Sequence, residues 1–393
     1  MPSFAEHLQA VRATIREIGP RALVAQLAQA PITLIDVREP HEWASGIIDG
    51  ALCLGRGHLE SRLAELQPAA DAPIVLYCAA GGRSVLAVKS LIAMGYTDVA
   101  SLAGGVQGWQ AAGLGLVQPG GLSHAQKVRY GRQLLLPEVG EAGQLRLLKS
   151  RVLLVGLGGL GSPVALYLAA AGVGTLGLCD GDVVDRSNLQ RQIIHTTART
   201  GQPKVESARQ ALQALNSDVQ IEALAQHLTA ANARSLVAGY DVVVDACDNF
   251  ATRYLLNDAC HFEKKPNIHG SIHRFTGSCT VLWTMRGGPC YRCLYPQAPA
   301  AEAFGSCSDN GVLGVLPGLV GVQQATEVLK ILLEIGEPLL GRLSMVDALS
   351  GASRLLRVRR DPNCALCGNK PVLHDVQEPL DSCAVVNKSF GEV

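Results

Sequence analysis

The chain has no excess charge of either sign. Lysine and arginine number 34 and aspartate and glutamate 34, so the net charge is zero and the pI is near 7.1. No global field points to nucleic acid or to an acidic partner surface. The start, "MPSFAEHLQAVRATIREIG", lacks the apolar core of a secretory signal. Cysteine is too scarce, at 12 in 393 residues, for a disulfide scaffold. Two CxxC pairs and scattered lone thiols fit a reducing, cytoplasmic setting, where cysteine binds metal or reacts. No internal repeat is visible. One charge-free run, Val152–Cys179, is long enough to cross a bilayer. Its seven glycines and one proline break it into strand, helix and strand, so no membrane span is expected.

What is present is a long α/β pattern with 48% hydrophobic residues, enough for sizeable cores. At ~150 residues per domain the length suggests two or three domains. Residues 1–117 read as one α/β unit, with "ITLIDVRE" and "PIVLYC" as strands. Residues 118–126, in a Gly-rich stretch, read as a linker. Residues 127–370 alternate strand and helix patterns as a Rossmann-like, mainly parallel sheet with crossovers would. "SCTVLW", "GRLSMVDAL" and "SRLLRVRR" then continue that sheet with antiparallel strands. Residues 371–393 lack periodicity and read as a loose tail.

Three groups of residues carry chemistry. The first is "CAAGGRS", residues 78–84, where a thiol stands between an apolar strand and a helix. A thiolate at a helix N-terminus meets unpaired N–H groups and the positive dipole end, which makes it a nucleophile. Arg83 adds a fixed positive charge, so the loop suits a phosphate or a charged sulfur species. The plain alternative is a buried cysteine beside a turn.

The second is "VLLVGLGGLGSP", in which Gly156, Gly158 and Gly161 give GxGxxG between a strand and a helix. Such glycines let phosphates approach the backbone. Asp180 ends the next strand, where a ribose-binding carboxylate belongs. Asn188, Arg191, Lys204, Asp245, Asp248 and Asn249 follow. A triphosphate needs cations along its oxygens and a carboxylate for Mg²⁺, whereas hydride transfer needs neither. The third group is Cys290-x-x-Cys293 with Cys364-x-x-Cys367, four thiolates suited to tetrahedral structural zinc. The alternatives there are two reduced pairs that never meet, or a redox CxxC.

Residues 20–115 resemble the rhodanese family through "IDVREPHEWASGIIDGA", "CAAGGRS" and "SLAGGVQGW". That resemblance implies a persulfide on Cys78. Cys78 and Arg83 enclose only four residues, the short form of the loop rather than the longer one of related phosphatases. Asp36 and Arg38 match the family's "DVR" and are read as support for the loop. From "RYGRQLLLPEVG" to "DPNCALCGN", about 60% of the chain resembles the MoeB/ThiF adenylyltransferase family, relatives of ubiquitin-activating enzymes. "VGLGGLGSP", "SNLQRQ", "GQPKVESA" and "CYRCLYP" carry that likeness.

The second resemblance implies ATP-dependent adenylation of the C-terminal glycine of a small ubiquitin-like sulfur-carrier protein. It places ATP on Gly159, Asp180 and the "SNLQR" segment, Ser187, Asn188, Leu189, Gln190 and Arg191. Lys204 goes to the phosphates, Asp248 to Mg²⁺ and Asn249 beside the nucleotide. Arg132 reaches the γ-phosphate from the partner subunit of a homodimer. Cys307, in "FGSCSDNGVLG", stands where sulfur-handling members have a cysteine able to take the acyl group as a thioester; a lone loop cysteine is the alternative. Cys53, Cys179, Cys247, Cys260, Cys279 and Cys383 are read as structural or incidental.

Together these imply adenylation followed by sulfur transfer from Cys78 to give a thiocarboxylate. In many fused relatives the rhodanese unit follows the adenylating unit, whereas here it comes first. Molybdenum cofactor, thiamine, tRNA thiolation, cysteine and thiolated metabolites all remain open as destinations. The sulfur donor is a cysteine desulfurase or thiosulfate. Two other classes stay open: a NAD-dependent oxidoreductase with a regulatory rhodanese-like domain, and a non-catalytic scaffold for a ubiquitin-like protein.

Overall fold

The computed structural model describes residues 3–66, 68–297 and 311–378. The chain divides between Gly131 and Arg132 into two compact units. Among the described residues, no helix is long and apolar enough to cross a membrane.

The first unit holds strands β1 (Arg16–Ile18), β2 (Thr33–Asp36), β3 (Leu52–Cys53), β4 (Ile74–Tyr77) and β5 (Val99–Leu102). They form one parallel sheet in the order β1-β5-β4-β2-β3. β4 and β5 are buried along their whole length, as strands covered on both faces must be. Alternate residues feed opposite cores. Ile74, Leu76 and Cys78 pack with Val88 and Leu91 of the helix Gly82–Ala93. Val75 and Tyr77 pack with Leu34, Ala100 and Trp109 on the other side. Cys78 therefore emerges from the central strand with a neighbouring strand on each flank.

The second unit has an eight-stranded sheet. Its strands are β6 (Arg151–Val155), β7 (Thr175–Cys179), β8 (Gln220–Leu224), β9 (Val242–Asp245), β10 (Asn267–His273), β11 (Thr276–Leu282), β12 (Arg342–Asp347) and β13 (Ser353–Arg357). The order is β13-β12-β11-β10-β9-β6-β7-β8. β8, β7, β6, β9 and β10 run parallel, and β11 to β13 extend the sheet antiparallel. The chain builds outward from β6 through β7 to β8, then returns to place β9 on the other flank of β6. That reversal opens a crevice at the carboxyl ends of β6 and β9, where ligands bind in such sheets. The helix Leu316–Leu333 covers one face near β9 and β10. Its buried Gln324 donates to Asp245 O (2.7 Å) and Ile268 O (2.9 Å), tying the two strands together.

Candidate active site

The crevice contains a cavity of about 260 Å³. Gly156 starts the loop after β6 with φ +94°, a left-handed conformation in which a Cβ would sit 2.7 Å from Ala246 O. A Cβ on Gly161 would overlap Gly156 O. The two glycines thus allow β6 to turn tightly into the helix Gly161–Ala171, and Gly158 and Gly159 face the cavity.

Asp180, just past β7, holds this loop. Its Oδ2 accepts the Leu157 N–H and its Oδ1 the Asp182 N–H, each at 2.8 Å. Burial pushes its carboxyl above the ordinary range, and Lys204 pulls it part of the way back. Lys204 opens the helix Lys204–Leu215 and is 6% exposed, with Nζ 2.8 Å from Asp182 Oδ2. Arg191 lines the cavity and donates through Nη2 to Asn188 Oδ1 at 2.8 Å, so Asn188 orients the guanidinium.

At the end of β9, Asp248 and Asn249 also line the cavity. Asp248 is exposed, while Asn249 Oδ1 accepts the Thr252 N–H and caps the helix Phe250–Phe262. Lys204, Arg191 and Asp248 thus meet at one cavity with Gly156, Gly158, Gly159, Asp180 and Asn249.

Not every expected residue lines that cavity. Gly161 shapes the turn. Ser187 gives both its hydroxyl and its N–H to Asp185 Oδ1 (2.6 and 2.7 Å), and Leu189 and Gln190 lie on the same short segment outside the lining. Arg132 is exposed and outside the lining. Cys307 lies outside the described residues.

Asp245 is buried beneath the site. Its Oδ2 meets His269 Nδ1 at 2.7 Å, and its Oδ1 accepts the Cys247 thiol at 2.9 Å. Burial pushes that carboxyl up, but His269, Arg253 and the Cys247 thiol together hold it below the ordinary range.

Four participants escaped the sequence reading. Asp182 pairs with Lys204. Arg253 lines the cavity, buried, and donates to Cys247 O at 2.9 Å. Cys179 and Cys247, read as structural or incidental, line it too. For Arg253 the available signal was its place four residues after Asn249, on the first turn of a helix leaving the site.

In the first unit, Cys78 is 2% exposed and its Sγ accepts the Gly81 N–H at 3.2 Å. Gly81 takes φ +93° as the cap of the helix Gly82–Ala93. Arg83 lies beside the thiol and interacts with it, but shares its charge with Glu42. It makes two 2.7 Å bonds to Glu42, and that pairing holds the Glu42 carboxyl down to about 2. Buried Arg38 grips Asp36 (2.7 Å) and the carbonyls of Gly46 and Glu42, so the "DVR" strand end steadies the segment that carries Glu42.

The four thiols of Cys290, Cys293, Cys364 and Cys367 come together within 4.8 Å of one another. Neighbouring sulfurs are 3.4–3.8 Å apart. Four Zn–S bonds of about 2.3 Å in a tetrahedron put sulfurs about 3.8 Å apart, so the donor set fits zinc.

A doubly wound nucleotide crevice and a thiol loop in a separate parallel sheet define the class: a nucleotide-binding α/β protein joined to a sulfur-handling unit. The chain matches the ThiF family over residues 130–366 and the Rhodanese-like domain over residues 20–112. It belongs to the ThiF family and carries a rhodanese-like domain at its N-terminal side, as the motifs implied. It is 49% identical over 266 residues to the "SAMP-activating enzyme E1" of Haloferax volcanii, covering 67% of this chain and 97% of that one. It is 49% identical over 261 residues to the "Sulfur carrier protein adenylyltransferase" of Thermus thermophilus, covering 65% and 96%. It is 52% identical over 263 residues to the "Adenylyltransferase and sulfurtransferase MOCS3" of Bos taurus, covering 67% of this chain and 58% of that protein.

Proposed function

We propose that the chain adenylates the C-terminal carboxylate of a small ubiquitin-like sulfur-carrier protein and converts it to a thiocarboxylate. It is an adenylyltransferase and sulfurtransferase. The observation that carries this reading is that one chain holds both a cavity lined by Lys204, Arg191 and Asp248 and a thiol loop at Cys78. The names of the Thermus and bovine relatives support it.

ATP is the substrate of the first step. The carrier's carboxylate attacks the α-phosphate and pyrophosphate leaves. Lys204 and Arg191 face the charge that builds on the phosphate oxygens. Asp248, exposed at the cavity, would hold Mg²⁺, which neutralises phosphate charge when bound. The four cysteines hold structural zinc.

In the second step a persulfide on Cys78 attacks the acyl adenylate. A C–S bond forms and AMP leaves. A thiol then attacks Cys78 Sγ and forms a disulfide with it, the S–S bond of the acyl disulfide breaks, and the thiocarboxylate leaves with the bonding pair. Cys307 is the candidate thiol. Fusion raises the local concentration of persulfide near the adenylate. The carrier ends in Gly-Gly, and the protein works in the cytoplasm as a homodimer in which Arg132 of each subunit completes the other's ATP site. Cysteine desulfurase or thiosulfate supplies the sulfur.

The test is ATP–pyrophosphate exchange with a Gly-Gly carrier, beside mass spectrometry of the carrier. Cys78→Ser keeps exchange and loses the thiocarboxylate. Loss of both together would show that the thiol acts before or during adenylation, against this order of steps.

A further inference from the structure

We propose that Arg12, on a helix preceding the rhodanese match, recognises the small anionic sulfur donor that loads Cys78. The inference rests on the reading of Cys78 as a sulfur carrier and adds a specificity residue to it. The helix Phe4–Arg12 starts at a capping box formed by Ser3 and Glu6 and buries Val11. It lies outside residues 20–112, the span that matches the Rhodanese-like domain. It runs beside the start of the helix Gly82–Ala93: a Cβ built on Gly82 would lie 3.5 Å from Leu8 Cδ2. One built on Gly81 would lie 3.3 Å from Arg12 Nη2.

Gly81 therefore stands between two groups. Its N–H is 3.2 Å from Cys78 Sγ, and the guanidinium of Arg12 faces its Cα side. The arginine inside the loop, Arg83, is shared between the thiol and Glu42, which grips it at two points. Arg12 is held more loosely. Glu17 approaches its Nε at 3.3 Å, and its side chain is 41% exposed. An anion entering the loop meets a second cation whose Nη2 faces Gly81 and whose carboxylate partner is more distant than that of Arg83.

With thiosulfate as donor, the Cys78 thiolate attacks the outer sulfur. A Cys78 S–S bond forms and the S–S bond of thiosulfate breaks. Sulfite leaves with the bonding electron pair, and the persulfide anion stays on Cys78. The sulfonate end carries the charge that Arg12 binds.

Thiosulfate–cyanide sulfurtransfer by the full chain tests this, with Cys78 persulfide read by mass spectrometry. Arg12→Ala raises KM for thiosulfate about tenfold, the scale of one charge-assisted hydrogen bond, and leaves kcat within about twofold. Arg12→Lys recovers most of the loss, and Arg12→Glu is worse than Arg12→Ala. Equal KM in wild type and Arg12→Ala overturns the inference, as does equal impairment by Ala, Lys and Glu, which would reveal a packing role. If wild type does not load Cys78 from thiosulfate, this inference falls while the sulfur-carrier reading stands with a desulfurase as donor; if Cys78→Ser still turns over, the sulfur-carrier reading falls with it.

Discussion

Lys204 Nζ lies 2.8 Å from Asp182 Oδ2, and the two partners are unequally placed: Lys204 is 6% exposed, whereas the Asp182 side chain is 60% exposed. The carboxylate covers the ammonium from the solvent side of the nucleotide cavity. A phosphate binding Lys204 must compete with it. Lys204→Ala is expected to lower ATP–pyrophosphate exchange by about 10²- to 10³-fold, the usual loss for one transition-state donor. Asp182→Asn removes the competitor, so KM for ATP falls and exchange stays within about tenfold of wild type. If Asp182→Asn is as inactive as Lys204→Ala, the pair works as a unit and the competition argument is wrong.

His195 predicts a pH dependence of stability. The ring is buried under the glycine loop, with Nδ1 2.9 Å from Ser207 Oγ and Nε2 3.1 Å from Leu157 O. Burial pushes its pKa from 6.5 down to about 4. Below pH 6.5 the unfolded chain takes up the proton and the folded one does not, so stability falls as pH drops from 6.5 towards 4. The full effect is on the order of 3 kcal/mol. His195→Gln should flatten the difference between stabilities measured at pH 7 and pH 5 by denaturant unfolding. An unchanged slope would mean that other groups set the acid response.

The thiol cluster joins chain segments more than seventy residues apart, since Cys290 Sγ is 3.5 Å from Cys364 Sγ. Freshly purified, reduced protein should contain about one zinc per chain by elemental analysis. Cys364→Ser should lose the metal and much of the second unit's stability, because four-thiolate binding contributes on the order of 10 kcal/mol in small sites. Finding no zinc in the reduced wild type would end the assignment.

Sequence reasoning succeeded where the chemistry is local. β6 and β7 read as the two strands of the charge-free run, and the glycine spacing, the "SNLQRQ" segment and the CxxC pairs are each contiguous. It failed where partners are distant or the pattern is broken. β10 reads "NIHGSIH", and its polar His269 hides the strand because its partner, Asp245, lies 24 residues away. β1 and β3 are only three and two residues long, too short for any periodicity to show. The bond from Arg83 to Glu42 spans 41 residues, so the sequence shows the arginine beside the thiol but not the carboxylate that shares it. Asp182 and Arg253 are ordinary charged residues until the sheet brings their elements to one crevice.

Arg132 is exposed and outside the lining of its own chain's cavity, which is the arrangement expected if it serves the other subunit. A twofold interface is isologous, so each site then borrows one arginine from across the dimer. Arg132→Ala and Asp248→Ala are each expected to be inactive alone. When the two are co-expressed, a mixed dimer contains one site with both lesions and one with neither. Random pairing makes about half of the dimers mixed, so adenylation returns to roughly a quarter of the wild-type level by the symmetry argument. Pyrophosphate exchange on dimers isolated by two different affinity tags measures this directly, with about half the wild-type activity expected in the purified mixed dimer. If Arg132 acted within its own chain, every site would carry one lesion and the purified mixed dimer would stay silent.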